Sequence, residues 1–341
     1  MLCLHVNTML NNKQLSKNIL ELDSLIESYN KSQEKPRRDF SKYENNYLQR
    51  LKKAINFFQE LSNRAVDMIN FNKGTKLGRP EILTLKQRVK ILLIQKFVNK
   101  SNREMSEILM LFAYLTNIDL SYKTIERLYD DERIKIILMN INSLIREELN
   151  INTSNASGDG TGFMLSIKEH YASIAQKLKD KGKINTKRRK TFYSFTLMDV
   201  EKRIYLAYGT SYKSEKEAYN KAIDMLKETN ISLKSIRLDR YYSGKNLVKN
   251  LNQMFPGIKC YLIPKKGTLV RGCTAWIQML TEFYKNTNEY FEEYFKRNQS
   301  ESGFSEDKRR FGWRIPQKKE SRIDMAYFSI FTWHNLLWIG Q

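Results

Sequence analysis

The chain has 341 residues and carries 59 lysines and arginines against 37 aspartates and glutamates, a formal net charge of +22. This charge favours a polyanion such as nucleic acid as partner, although a merely basic or ribosome-associated protein is the alternative. Three cysteines and three histidines argue against a disulfide framework and a Cys or His zinc site, so any metal is expected on carboxylates, as Mg²⁺ or Mn²⁺. No apolar run of transmembrane length and no signal peptide are visible, so we expect a cytoplasmic protein without a membrane partner, nucleoid-associated if its partner is nucleic acid.

Residues 1–75 are predicted to be an N-terminal helical region. Apolar residues recur near a 3.6-residue period over Leu15–Tyr29 and again over Tyr47–Ile69. A polar break with Pro36 separates the two segments, and a second break, Asn72–Pro80, holds glycines, a proline and basic residues typical of a linker. The sequence leaves open whether these helices bind DNA or dimerise.

Residues 76–145 are predicted to form three short helices. The first two open at Thr84 and Ser101, each with a Gln or Glu three residues on in the spacing of a capping box, and the third opens after Ser121. Short helices joined by polar turns suit a helix-turn-helix-like DNA-binding domain, whereas a helical bundle without a DNA role is the alternative. The third helix would be the recognition helix, and its first residues would face DNA: Tyr122, Lys123 and Thr124.

Residues 150–341 are predicted to be an α/β domain in which strands and helices alternate. The predicted strands are Ser154–Leu165, Thr191–Met198, Arg203–Thr210, Ser235–Leu238 and Cys260–Ile263, with helices at Ser214–Glu228 and Ser243–Met254. Three strands in a meander followed by α/β crossovers are the order of a ribonuclease H-like core. The expected fold class is therefore α/β: a mixed five-stranded sheet with helices, preceded by an all-α helix-turn-helix-type region.

Two aspartates stand where chemistry is expected in such a sheet. Asp159 lies in the first strand between glycines, which let backbone or substrate approach closely. Asp239 ends a later strand, and carboxylates at strand ends point into the crevice where α/β proteins bind ligands. Taken singly, each is more often a turn or capping aspartate, but carboxylates on fixed positions are what two-metal phosphodiester cleavage requires.

A third carboxylate belongs to a more specific pattern. Tyr294, Arg297, Glu301 and Lys308 follow at spacings of three, four and seven, which on one helix place them near one face. That face suits a phosphate substrate, with the carboxylate on metal, the two cations on phosphate oxygens and the tyrosine packing or hydrogen-bonding beside the backbone. A solvated face with an Arg297–Glu301 ion pair is the alternative, and Gly303 weakens the helix in this run.

These four residues reproduce, without gaps, the Tyr–Arg–Glu–Lys signature of a large group of bacterial and archaeal insertion-sequence transposases. The chain also resembles this group at Asp159–Phe163 and at Leu238–Gly244, where the family carries its two catalytic aspartates, and at its C-terminal end. The resemblance covers about residues 150–341.

The resemblance implies a ribonuclease H-like DDE catalytic domain with the triad Asp159, Asp239 and Glu301 on two Mg²⁺ (or Mn²⁺) ions. It implies strand cleavage and strand transfer at the terminal inverted repeats of an insertion sequence, with double-stranded end and target DNA as partners and a homodimer on DNA. A catalytically inactive or domesticated DNA-binding protein and another ribonuclease H-like nuclease are the alternatives. The short segment between Asp239 and Glu301 implies that the β-rich insertion of some members is absent or reduced to helix.

Several other residues are expected near DNA or near the triad. The basic run at residues 179–190 is predicted to be a phosphate-contacting loop. Glu306 is a competing candidate for the third carboxylate, Trp313 a candidate for base contact, and His334 a candidate core histidine. Outside the helix-turn-helix, the predicted DNA contacts are Lys187, Arg188, Arg189, Lys190, Tyr294, Arg297, Lys308 and Arg309.

Overall fold

The computed structural model describes residues 10–33, 39–69, 81–165 and 191–340. The predicted linker at Asn72–Pro80 and the predicted contacts Lys187, Arg188, Arg189 and Lys190 lie outside these ranges. No helix in the described ranges combines the length and apolar character needed to cross a membrane.

Eight helices precede the sheet in the described ranges. They are α1 (Asn12–Leu20), α2 (Leu22–Ser32), α3 (Phe40–Asp67), α4 (Leu85–Phe97), α5 (Asn102–Leu111), α6 (Ala113–Thr116), α7 (Tyr122–Leu128) and α8 (Glu132–Glu148). The single helix predicted over Leu15–Tyr29 is wrong in one respect, because the backbone at Glu21 (φ −86°, ψ 2°) leaves helical geometry between α1 and α2. The break allows Leu22 to be buried while Leu20 stays exposed.

The predicted helix starts are confirmed. Thr84 and Ser101 each form a complete capping box, in which the cap side chain accepts from the backbone three residues on and that residue's side chain accepts from the cap backbone. Ser121 caps α7 by accepting from the Thr124 N–H. Between α5 and α7 the short α6 lengthens the connection, and the identity of this region as a helix-turn-helix stays a prediction.

A mixed sheet occupies the second half of the chain. Its strands are β1 (Thr153–Leu165), β2 (Thr191–Asp199), β3 (Tyr205–Ser211), β4 (Ser232–Leu238), β5 (Lys259–Tyr261) and β6 (Arg314–Ile315). The order is β3-β2-β1-β4-β5, with β2 antiparallel to both β1 and β3, and β4 parallel to β1 and β5. All five predicted strands are confirmed, and the two-residue β6, parallel to the end of β1, was not predicted because it is too short to show a pattern.

The helices described in the second half are α9 (Glu215–Lys227), α10 (Lys245–Met254), α11 (Thr274–Lys285), α12 (Thr287–Phe295), α13 (Asn298–Phe311) and α14 (Glu320–Trp338), with a 3₁₀ turn at Arg240–Tyr242. α14 is almost entirely buried and packs against α3, α4, α8 and β3. Its Trp333 donates to the Leu93 carbonyl at 2.7 Å and stacks on Phe58 with ring centroids 5.2 Å apart. The N-terminal helices thus share a core with the sheet, and the boundaries at 1–75, 76–145 and 150–341 stay predictions.

Candidate active site

The sheet brings the two aspartates together. Gly158 of β1 pairs in register with Leu238 of the parallel neighbour β4, so the next residues, Asp159 and Asp239, lie side by side. Adjacent strands are about 4.8 Å apart, and side chains at equivalent parallel positions point to the same face. Asp239 also caps the 3₁₀ turn, since one of its oxygens accepts from the Tyr241 N–H at 2.8 Å. Residues 80 positions apart in the chain thus present neighbouring carboxylates.

Helices α12 and α13 are fixed on this face by residues two positions before each aspartate. Ser157 is fully buried, and its hydroxyl shares a 2.5 Å hydrogen bond with that of Ser300, the residue before Glu301. On β4, the buried Arg237 donates to the Glu293 carbonyl at 2.9 Å and forms an ion pair with the Glu293 carboxylate. These two attachments hold Glu301 on the same side of the sheet as the aspartates.

The predicted single helix through the Tyr–Arg–Glu–Lys residues is wrong. α12 ends at Phe295 and α13 begins at Asn298, with Arg297 at the cap between them. Arg297 nevertheless contacts both residues expected beside it, since its guanidinium lies 5.5 Å from the centre of the Tyr294 ring and 3.0 Å from Glu301. The Arg297–Glu301 ion pair that the alternative interpretation required is therefore present.

Arg297 does more than pair along the helix. The same nitrogen, Nη2, lies 3.3 Å from Asp239, so one guanidinium links the second and third carboxylates of the predicted triad. The carboxylates remain partly exposed, at 39% for Asp239 and 49% for Glu301, whereas Arg297 is 15% exposed. Arg297 Nε is buried without a hydrogen-bond partner in the described part of the chain, so the guanidinium retains unused donor capacity.

Negative charge accumulates around Asp159. Burial raises its pKa from 3.8 to about 6, and the charges of Glu301 and Glu215 add to the rise while the Gly160 N–H and Arg297 oppose it. Burial works against the charge of Arg297, yet Tyr294 and the surrounding carboxylates leave its pKa raised. A half-buried site with more negative than positive groups favours an additional cation.

Glu215 is the carboxylate that sequence reasoning missed. A Cβ built on Gly160 would lie 2.1 Å from the Glu215 carboxyl carbon, so only glycine leaves room for Glu215 beside β1. The Tyr242 hydroxyl donates to Glu215 at 2.7 Å and holds it there. Gly160 and Asp159 point to opposite faces of the strand, so Glu215 acts on Asp159 by charge rather than by sharing its face. No local pattern at the start of α9 signals this contact.

Lys308 lies farther along the same face. Its Nζ donates to Thr161 Oγ1 at 2.5 Å and lies 4.9 Å from the centre of the Trp313 ring. Burial lowers the pKa of Lys308. Trp313 is 60% exposed and Arg309 is also exposed, so both are open to an external ligand.

Three other candidate residues, Glu306, His334 and Tyr294, have partners that distinguish them from the carboxylates of the predicted triad. Glu306 forms an ion pair with Arg50 at 2.6 Å, so in this structure it does not join the aspartates. His334 is buried and hydrogen-bonds Asp307, as expected of a core histidine. Tyr294 is 5% exposed and its ring packs against the Arg297 guanidinium, so a direct DNA contact by Tyr294 stays a prediction.

The predicted recognition residues belong to a different part of the molecule, at the start of α7. Tyr122 is 37% exposed and lies between Arg103 and Lys123, whose cationic groups are 5.0 and 5.3 Å from its ring centre. Lys123 also pairs with Glu126 at 2.8 Å, and Thr124 lies at the Ser121 cap. The assignment of these residues to DNA binding stays a prediction.

Whether the predicted triad fits a metal ion depends on two things, the chemistry of its donor atoms and the way they are arranged. All three carboxylates offer oxygen donors of the kind Mg²⁺ and Mn²⁺ prefer, and the charges of Glu301 and Glu215 add to the burial that raises the pKa of Asp159. Within the described part of the chain, however, no three acidic, histidine or cysteine side chains are arranged to hold a metal ion. Arg297 bridges Asp239 and Glu301 instead. The donor set therefore fits such an ion if Arg297 releases these carboxylates.

Comparison with known proteins places the chain in a family. No protein-family model matches it. A protein of Archaeoglobus fulgidus, named as the probable transposase for insertion sequence element ISA1214, is 37% identical over 320 residues, and the match covers 92% of this chain and 92% of the relative. Since this similarity extends over nearly the whole length of both proteins, the chain belongs to the family of insertion-sequence transposases.

Proposed function

We propose that the chain is an active DDE transposase that cleaves DNA at the terminal inverted repeats of an insertion sequence and joins the freed strand to target DNA. One observation carries this proposal. Asp159 and Asp239 stand side by side on parallel strands, and the Ser157–Ser300 hydrogen bond holds the helix that carries Glu301 over them. The similarity to a probable insertion-sequence transposase supports the same substrate class.

We also propose that residues 150–341 form a ribonuclease H-like catalytic domain. The supporting observation is the sheet order β3-β2-β1-β4-β5, in which an antiparallel meander precedes two parallel strands joined through helices. In this arrangement the two aspartates come from the central strand and its parallel neighbour, which is where a rigid scaffold fixes groups best.

In the proposed reaction Asp159, Asp239 and Glu301 would hold Mg²⁺ or Mn²⁺, two ions in all. Such ions supply an activated attacking oxygen and stabilisation of the leaving oxygen. Arg297 holds Asp239 and Glu301 together in this structure, and its unused Nε donor would bind a phosphate oxygen of the DNA. Lys308, kept in place by Thr161, supplies a second phosphate contact, and the exposed Trp313 beside it offers a ring for an unpaired base.

The DNA on either side of the cleaved bond is proposed to bind to basic residues and to the helices of the first half of the chain. The net charge of +22 supports phosphate contacts by Arg309 and by the basic run at 187–190, in addition to those at the site. The residues at the start of α7, Tyr122 to Thr124, are proposed to contact the inverted repeats as part of a helix-turn-helix, and two copies of the chain to hold the two ends.

The test is cleavage of labelled duplexes that carry the element's own ends. With Mg²⁺, wild type nicks at the element boundary and transfers the strand to target DNA, whereas Asp239→Ala binds the ends but does not cut. Specific binding without cleavage by wild type in Mg²⁺ or Mn²⁺ contradicts the enzyme proposal and identifies a transposase-derived DNA-binding protein, the second candidate. The guanidinium between Asp239 and Glu301 is the observation that favours that candidate.

A further inference from the structure

The start of α10 is a helix N-terminus without a side-chain cap. α10 runs for 10 residues from Lys245 to Met254, and its N-cap is Gly244, which has no side chain to accept from the first-turn N–H groups. Uncapped N–H groups and the helix dipole together make such an end attractive to anions. One 3₁₀ turn separates this end from Asp239, so it lies beside the candidate active site.

A buried hydroxyl at the same place lacks a partner. Ser243 is 8% exposed, and its Oγ finds no hydrogen-bond partner in the described part of the chain. A buried polar atom left unsatisfied costs about 1–3 kcal/mol, so such an atom calls for a ligand or a bridging group. Ser243 lines two adjoining cavities of about 450 and 240 Å³, and Gly244 lines both as well.

The walls of these cavities are basic. Among the described residues that line them, four carry positive charge and none carries negative charge: Lys216, Lys245, Lys265 and Arg271. Lys265 is held in place because its Nζ donates to the Tyr241 carbonyl at 2.8 Å. Glu215 is nearby in sequence, but the Tyr242 hydroxyl engages it beside Gly160 rather than in the cavity wall.

We propose that the Ser243 hydroxyl, the N–H groups at the start of α10 and these four cations form a phosphate-binding site, called here the Ser243 site. Its ligand is a backbone phosphate of the DNA strand being cut, and this identification rests on the proposed function. Ser243 lies four positions after Asp239 in the chain, a span of at most about 14 Å. Since phosphates follow at 3.4 Å of rise along one strand, the bound phosphate lies roughly four nucleotides or fewer from the scissile bond.

The sharpest test compares Gly244→Asp with Gly244→Asn. A Cβ at Gly244 meets no atom within 4 Å and its φ of 177° is ordinary extended backbone, so both side chains fit. Both residues are good N-caps, and they differ in the charge placed at the helix end. Binding of a labelled duplex of the element ends is measured by fluorescence anisotropy over a salt series in EDTA, and thermal unfolding of each variant is followed in parallel.

The Ser243 site predicts that Gly244→Asp binds DNA roughly tenfold more weakly than Gly244→Asn, although both variants unfold no earlier than wild type. It also predicts that Arg271→Gln lowers the slope of log affinity against log salt by about one. Lys285→Gln makes the same charge change at the far end of α11 and should leave the slope unchanged. Equal affinity of the Asp and Asn variants, with equal slopes for the Gln variants, would overturn the site.

These outcomes are separable from those of the proposed enzyme, because binding in EDTA requires no metal and no cleavage. If wild type fails to cut DNA but the two Gly244 variants differ as stated, the Ser243 site stands and the enzymatic proposal fails. If wild type cuts normally and the variants do not differ, the reverse holds. If wild type does not bind the duplex at all, DNA is excluded as the ligand and both proposals fail.

Discussion

The two ends of α13 carry acidic groups in contrasting surroundings. Toward its C-terminus Asp307 is 3% exposed, accepts from the Tyr205 hydroxyl at 2.8 Å and hydrogen-bonds His334 Nδ1 at 3.0 Å. The other ring nitrogen of His334 lies 2.9 Å from the Arg203 carbonyl, which closes the network. Toward the N-terminus Glu301 is 49% exposed, and its partner Arg297 keeps a buried Nε without a hydrogen bond.

The difference separates a structural group from a ligand site. Buried polar groups that satisfy one another stabilise and specify a core, and they have nothing left to offer a substrate. A half-exposed carboxylate that shares one guanidinium with another carboxylate retains unused oxygen lone pairs and negative charge that is not fully compensated. Acidic residues a few positions apart on one helix can therefore be assigned different roles from their partners alone.

The largest expected effect is on cleavage at the Glu301 end. Glu301→Gln should reduce metal-dependent cleavage of the element ends to background, because an amide oxygen is a poorer ligand for Mg²⁺ than a carboxylate. Glu306→Gln is the matched control, since Glu306 pairs with Arg50 away from the aspartates. Cleavage that survives in the first variant and vanishes in the second would assign the third carboxylate to Glu306.

The largest expected effect on stability is at the Asp307 end. Asp307→Ala should lower the free energy of unfolding by about 3 kcal/mol, because it leaves Tyr205 and His334 buried without their shared acceptor. Glu301→Ala, at an exposed position, should change it by less than about 0.5 kcal/mol. Urea unfolding of both variants checks the pair, and similar losses at the two ends would refute the distinction between them.

A substitution at Asp159 is expected to have a smaller effect on the free energy of unfolding than Asp307→Ala, and of opposite sign. Its pKa is about 6 in the folded protein against an ordinary value of 3.8, so folding favours the protonated form, and wild-type stability is lost as pH rises through about 6. Asp159→Asn escapes this loss, so the metal-free variant should be more stable than wild type by about 1–2 kcal/mol at pH 8, with partial exposure already discounted.

This advantage should shrink as the pH is lowered from 6 toward 4, which urea unfolding in EDTA over a pH series will measure. The same variant should not cleave DNA, so stability and activity are expected to change in opposite directions. A variant that is less stable than wild type at pH 8 would show that the Asp159 carboxylate stabilises the fold instead.

The smallest expected effect concerns Lys308. Lys308→Gln should lower the slope of log affinity against log salt for DNA by about one, the loss of one phosphate contact. Lys296→Gln removes an exposed lysine that is already paired with Glu293 and should leave the slope near that of wild type. Identical slopes for the two variants would argue that Lys308 serves only to fix Thr161.

Local patterns in the sequence were enough for the elements and for part of the site. The capping boxes at Thr84 and Ser101 depend on residues three apart, and strand composition predicted β1 to β5 because such signals lie within a short stretch of chain. The family resemblance selected Asp159 and Asp239 together, and the pairing of the parallel strands β1 and β4 brings these two residues side by side, while their catalytic role stays a prediction.

What the sequence did not predict depends on contacts between distant segments. Glu215 lies close enough to raise the pKa of Asp159 because Gly160 has no side chain, a relation between β1 and α9 that no spacing records. The bridge from Arg297 to Asp239 and the docking of Ser300 on Ser157 both join residues that are far apart in the chain. The break between α12 and α13 was missed because neither proline nor glycine marks it.

The central claim is that Asp159, Asp239 and Glu301 hold one metal centre, and electron paramagnetic resonance of Mn²⁺ added to the DNA-bound protein tests it most directly. Asp159→Asn, Asp239→Asn and Glu301→Gln should each lose tightly bound Mn²⁺, whereas Glu306→Gln should bind it as wild type does. Equal Mn²⁺ binding by all five proteins would contradict the claim and leave Arg297 as the lasting partner of Asp239 and Glu301.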